Sequence, residues 1–207
     1  MVLVLHGGAS RRSNMMVSPT QLSVLRMIPI ANRLARESPG RLAVFRLLNS
    51  RRGWDTHHTP VLDARWALDR IAERLGERRP TCLVGHSLGG RAALLSAGRP
   101  EVHSVVALAP WVYPTDVPAG LGHQRILIVH GSRDRVASPE RSRELAAALS
   151  RHAPTSYISV TGAQHAMVRR HATFSGLAAQ FATATLLDAP VDGAIARARA
   201  GETWITV

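Results

Sequence analysis

The chain has 207 residues, 45% of them hydrophobic and 19% charged, which predicts one globular domain with a substantial buried core. Its formal charge of +12 would suit a nucleic-acid partner, yet all 26 basic residues are arginine, scattered along the chain, and aromatics make up only 4%. Without a basic block or stacking platforms, nucleic-acid binding is excluded as a reading; an anionic substrate or an acidic protein partner stays open.

The chain begins Met1-Val2-Leu3-Val4-Leu5-His6. It shows no basic leader, and the apolar run is too short for a signal peptide or a membrane span, so the expectation is a cytoplasmic protein with no membrane partner. Short apolar or β-branched runs at residues 2–5, 42–47, 81–84, 104–108, 125–129 and 156–160 predict strands buried on both faces. Helical patterns lie between them. Ser18-Pro19-Thr20-Gln21 reads as a capping box opening a helix to about Glu37, with Pro29 expected to kink or divide it.

Val61, Ala64, Leu68, Ile71 and Leu75 recur at helical spacing, predicting a helix over residues 60–77. Ser138-Pro139 opens another, ending near Arg151, and a long helix follows from about Met167 to Leu187. This alternation implies a parallel sheet with helices on both faces. No internal repeat or linker divides the domain. Residues 194–200 could form a short helix, and Trp204-Ile205-Thr206-Val207 is an apolar terminus that packs either on the body or on a second subunit.

The most informative stretch is Gly85-His86-Ser87-Leu88-Gly89-Gly90, set between the run at 81–84 and a helix-like segment from Arg91 to Ala97. That is the strand, sharp turn and helix context of a G-x-S-x-G nucleophile elbow. Side chains on either side of a serine lifted above the sheet edge would clash, which is the physical reason for the glycines. The helix that follows points unpaired N–H groups and its positive dipole end at the same place. Cys82, the sole cysteine, lies in the preceding apolar run and reads as a buried thiol, so neither a disulfide nor cysteine catalysis is expected. His57-His58 alone cannot make a zinc site, and no glycine-rich dinucleotide loop follows a strand; neither metal nor cofactor is expected.

Three further segments extend the pattern. His6-Gly7-Gly8-Ala9 follows the first strand, His130-Gly131-Ser132-Arg133-Asp134 the penultimate one, and Gly162-Ala163-Gln164-His165 the last. Together with the elbow, and in the same chain order, they resemble the α/β-hydrolase superfamily, in particular its small serine esterases and dienelactone-hydrolase-like members. The resemblance implies a three-layer α/β/α sandwich around a six-stranded, mainly parallel sheet of order 2-1-3-4-5-6. It would be a minimal version of that fold, lacking two leading strands and, with only residues 109–124 after the fourth strand, a large lid. Residues 1–188 would form this domain and residues 189–207 a C-terminal extension.

The resemblance also implies roles. Ser87 would be the nucleophile, His165 the general base and then acid, and Asp134 the carboxylate that orients the imidazole. Asp116, in the loop after the fourth strand, is an alternative acid position. Backbone N–H groups of Gly8 and Leu88 would form the oxyanion hole. Ala9, His86, Trp54, Trp111 and Tyr113 are candidate substrate contacts. His6 and His130 are expected as hydrogen-bonding residues at strand ends. The expected activity is cleavage of an ester or thioester of a small to medium organic substrate through an acyl-enzyme. Acyl transfer or cyclisation by the same groups, or a silent binding protein on the same fold, are the alternatives.

Overall fold

Strand side chains alternate between two apolar layers, and this alternation explains the near-continuous hydrophobic runs. The computed structural model describes residues 1–8 and 16–207. Among the described residues, β1 (Val2–Leu5), β2 (Val44–Leu47), β3 (Thr81–His86), β4 (Val102–Leu108), β5 (Arg125–Gly131), β6 (Thr155–Val160) and β7 (Trp204–Thr206) form one sheet of order β2-β1-β3-β4-β5-β6-β7. Every pairing is parallel. Val4, Val84, Val106, Leu127 and Ile158 face one layer, where α2 (Met27–Glu37), α6 (His171–Leu187) and α7 (Gly193–Arg199) supply Ile30, Phe174 and Ile195. Leu5, Leu83, Val105, Ile126 and Ile128 face the other, against Leu68 of α3 (Thr59–Leu75), Leu94 of α4 (Leu88–Leu95) and Leu145 of α5 (Pro139–Leu149). Both faces of a parallel sheet are thereby covered.

The six-stranded expectation is corrected to seven strands. Residues 189–207 supply α7 and β7, and β7 joins the edge of β6 with Ile158 opposite Ile205. Tyr157 N–H donates to the Thr203 carbonyl at 2.7 Å, and Val207 N–H to that of Ser159 at 2.9 Å. The apolar terminus Trp204-Ile205-Thr206-Val207 thus packs on the body as an edge strand, with only Ile205 of the three strand residues buried.

The helix expected from Ser18 also differs. Ser18 Oγ accepts from Thr20 N–H at 3.3 Å, but Gln21 turns to Ser23 instead of back to Ser18, so the capping box does not close. The helix begins as α1 (Leu22–Leu25) and is divided at Arg26. Pro29 sits in the first turn of α2, where its missing N–H has no intrahelical acceptor to lose. The cap at Ser138 forms as expected, its Oγ accepting from Arg141 N–H at 3.1 Å. Residues 109–124, between β4 and β5, contain turns and no helix. The loops after β1, β3, β5 and β6 all emerge at the carboxyl edge of the sheet, where open α/β sheets bind ligands.

Candidate active site

Ser87 joins β3 directly to α4 with φ 56° and ψ −120°, a conformation that L residues rarely adopt and that concentrates at functional sites. Close approach explains the flanking glycines. A Cβ on Gly85 would lie 2.1 Å from the Gly89 carbonyl oxygen, and one on Gly89 would lie 2.4 Å from that of Leu5. The elbow is also tied to its neighbours: Ser87 N–H donates to the Leu108 carbonyl at 3.0 Å, and Trp111 N–H donates to that of Ser87 at 3.1 Å.

Loops after three different strands bring the polar groups together. Ser87 Oγ–H donates to His165 Nε2 at 3.0 Å, and His165 Nδ1–H donates to Asp134 Oδ2 at 2.8 Å. With Nδ1 carrying the hydrogen, Nε2 presents its lone pair to the serine. Asp134 Oδ1 accepts from Val136 and Ala137 N–H at 2.8 and 3.0 Å, and His130 Nε2–H donates to Oδ2 at 3.1 Å. Burial by itself would raise the Asp134 carboxyl, but donors from His130, His165, Val136 and Ala137 outweigh it. They hold the group well below the ordinary carboxylate range, so it stays ionised.

Leu88 is the first residue of α4, and the first N–H groups of a helix have no intrahelical acceptor. Gly8 lies beside it: a Cβ there would be 3.3 Å from Leu88 Cδ1, while one on Gly7 would be 3.2 Å from Ser87 Cβ. The two candidate oxyanion donors thus lie near each other beside the serine, Gly8 on the loop after β1 and Leu88 on the first turn of α4. Ala9 lies outside the described residues.

His86 does not line an open pocket as expected. It is 1% exposed, its Nε2–H donates to the His165 carbonyl at 3.0 Å, and the two rings lie 4.9 Å apart. Burial, and then the neighbouring His165, push its pKa down to about 3. Trp54, Trp111 and Tyr113 converge on a different group, the guanidinium of Arg91, at 4.2, 5.6 and 5.0 Å from the three ring centroids. Arg91 makes a bidentate pair with Asp116 at 2.8 Å to each oxygen, both side chains 9% exposed, and Asp116 also accepts from Tyr113 N–H. Asp116 is therefore committed to Arg91, and the aromatics are held by that ion pair. His6 and His130 do act as hydrogen-bonding residues: His6 Nδ1–H donates to the Gly7 carbonyl and Nε2 accepts from Asn49 N–H. Sequence reasoning missed that His130 shares the Asp134 carboxylate; its position four residues before Asp134 was the available signal.

No group of three or more His, Cys, Asp or Glu side chains among the described residues could hold a metal ion. No described helix is long and apolar enough to cross a membrane. A serine on a strained strand-to-helix turn, linked through histidine to an ionised aspartate, has the geometry used to generate an oxygen nucleophile on an α/β scaffold. The chain belongs to the alpha/beta hydrolase family, whose sequence profile matches residues 2–204. Its structure is similar to an alpha-beta serine hydrolase homologue from Coxiella burnetii (17% identity, 86% of this chain and 82% of that one, TM-score 0.63). It is also similar to a serine hydrolase without a lid from Xanthomonas campestris (17%, 93% and 84%, TM-score 0.64) and to an esterase from Pyrobaculum calidifontis (16%, 89% and 76%, TM-score 0.61). At these identities the likeness establishes the fold alone. No curated protein matches the sequence.

Proposed function

We propose that the protein is a serine hydrolase that cleaves a carboxylic ester or thioester of a small to medium organic substrate. The observation that carries this reading is the continuous hydrogen-bonded chain from Ser87 Oγ through His165 to Asp134, at 3.0 and 2.8 Å. Family membership supports hydrolase chemistry, and the serine hydrolase and esterase titles of the structural neighbours agree with it.

In this mechanism Ser87 Oγ attacks the substrate carbonyl carbon while His165 Nε2 removes its proton. Asp134 fixes the imidazole tautomer and stabilises the imidazolium without itself taking the proton. The oxygen that becomes negative is met by the N–H groups of Leu88 and Gly8, aided by the positive end of α4. His165 then protonates the departing alcohol or thiol, leaving an acyl group on Ser87. Water, deprotonated by the same histidine, attacks that acyl group and frees the acid and the serine. The helix-free segment at residues 109–124 favours soluble esters over an interfacial lipid substrate. Hydrolysis of 4-nitrophenyl acetate, together with labelling by a fluorophosphonate, tests the proposal. Wild-type protein should react in both assays and Ser87→Ala in neither; a folded wild-type protein that the probe leaves unlabelled would refute it.

A further inference from the structure

Asp134 does not serve His165 alone. His130, near the end of β5, is fully buried, and its Nε2 lies 3.1 Å from Asp134 Oδ2 and 3.3 Å from the carbonyl oxygen of Ala137. Both neighbours are acceptors, so Nε2 carries a hydrogen. Nδ1 is buried with no hydrogen-bond partner, which fits a ring whose bare nitrogen faces away from the carboxylate. An orphaned ring nitrogen in the interior is costly, and an apolar side chain would fill the same space without it. Packing alone therefore gives no reason for histidine here.

We propose that His130 is a positioning residue for the Ser87 relay, its Nε2–H fixing Asp134 Oδ2 toward His165 and setting the basicity of His165. The catalytic part of this proposal rests on the hydrolase reading above; the positioning part does not. Backbone N–H groups of Val136 and Ala137 restrain only Oδ1. Oδ2 is held between two imidazole donors, so its lone pairs and the plane of the carboxylate are set by both rings. A donor to the ionised form disperses its charge and lowers its proton affinity. His165 accordingly faces a weaker anion than an unshared carboxylate would present.

Several other groups surround the two rings. His165 faces Ser87 and the His86 ring, and the charge of Arg26 reaches His86. Glu140, at the start of α5, is within electrostatic range of His130. Tyr157 on β6 is in range of Asp134 and Glu140, and burial pushes its hydroxyl up to about 12, so it stays neutral across the working range. None of these groups hydrogen-bonds to Asp134 among the described residues, which leaves His130 as the side chain that shares the carboxylate with His165.

The test compares His130→Leu, which deletes the donor, with His130→Gln, whose amide N–H can reach the same oxygen. Two readouts are followed: the pH dependence of kcat/KM for 4-nitrophenyl acetate, and the titration of His165 by NMR in protein labelled with 15N-histidine. In His130→Leu the acid limb and the His165 titration should move together to higher pH, by about half a unit, as a donor to the carboxylate is removed. Turnover should fall about tenfold with KM little changed, because the imidazole loses its fixed partner, and His130→Gln should restore most of both. A folded His130→Leu whose His165 titration does not move overturns the proposal, as does a His130→Gln equally impaired. Should His130→Leu not fold, the wild-type spectrum decides: a hydrogen on His130 Nε2 supports the proposal and one on Nδ1 alone overturns it. If the wild-type protein cleaves no ester, the hydrolase reading fails by itself, and the NMR arms still decide the role of His130.

Discussion

Replacing Asp116 by alanine leaves the Arg91 guanidinium without its carboxylate in a site where both side chains are 9% exposed. Removing one member of a buried ion pair costs about 3–5 kcal/mol, because the remaining charge is desolvated and unpaired. Here Trp54 and Tyr113 stay at 4.2 and 5.0 Å from the cation, and cation–π attraction places the expected loss near the lower end, about 3 kcal/mol. That corresponds to a roughly 150-fold change in the folding equilibrium. With a urea slope of about 2 kcal/mol/M, the midpoint should fall by about 1.5 M. The assay is equilibrium unfolding followed by tryptophan fluorescence, with ester turnover measured at low urea on the folded protein. Turnover should stay near wild type, since Asp116 touches neither Ser87 nor His165. A variant with an unchanged midpoint but turnover reduced by orders of magnitude would refute the reasoning and make Asp116 the acid.

The contrasting variant, Asp134→Asn, should keep its ability to bind substrate while kcat falls by about four orders of magnitude, as the wrong tautomer of His165 is stabilised; steady-state kinetics decide it. Gly89→Ala would bring a Cβ within 2.4 Å of the Leu5 carbonyl oxygen and 2.5 Å of that of His6. Strand and helix must separate, so thermal unfolding should show a loss of about 1–3 kcal/mol, and the displaced Ser87 should label far more slowly with fluorophosphonate. His86 is buried with its pKa pushed down to about 3, against about 6.5 in the unfolded chain. The unfolded state therefore binds more protons between those values. Stability from this group is present above pH 6.5 and is lost progressively as pH falls toward 3, by about 2 kcal/mol at pH 5. Urea midpoints from pH 7 to 5 should fall less in a folded His86→Gln variant than in wild type.

The six central strands and the Ser87 turn were legible in the sequence for separate physical reasons, whereas the sheet order came through the resemblance alone. Strands such as β5 are buried on both faces and so read as unbroken apolar runs. Gly85 and Gly89 are dictated by backbone contacts at the turn itself, so they appear beside the serine they serve. His165 and Asp134 were legible only through the resemblance and their place after strands, because nothing local in those loops shows which carboxylate the imidazole meets. The Arg91–Asp116 pair joins residues that are 25 apart in sequence and leaves no local pattern. It turned three expected pocket aromatics into neighbours of a buried cation. The apolar run at residues 204–207 was visible, but not its pairing as β7, because only the central residue of that short edge strand is buried. The helix break at Arg26 was placed at Pro29 because proline marks a boundary in sequence, yet it is tolerated in a first helical turn.

The serine and the histidine of the relay are held by parts of the fold with different resistance to opening. The amide of Ser87 donates to the carbonyl of buried Leu108 at the end of the central strand β4, and its carbonyl accepts from Trp111 N–H in the loop that follows. Its amide proton should exchange with solvent only when the whole domain unfolds. His165 instead sits on a short loop in which exposed Gly162, Gln164 and Val168 alternate with buried Ala163 and Met167, and a loop held by so few buried side chains is expected to open at a lower free energy than the sheet. Warming should therefore separate His165 from an elbow that is still intact. Activity would fade at temperatures where the sheet persists, and return on cooling without any refolding of the core.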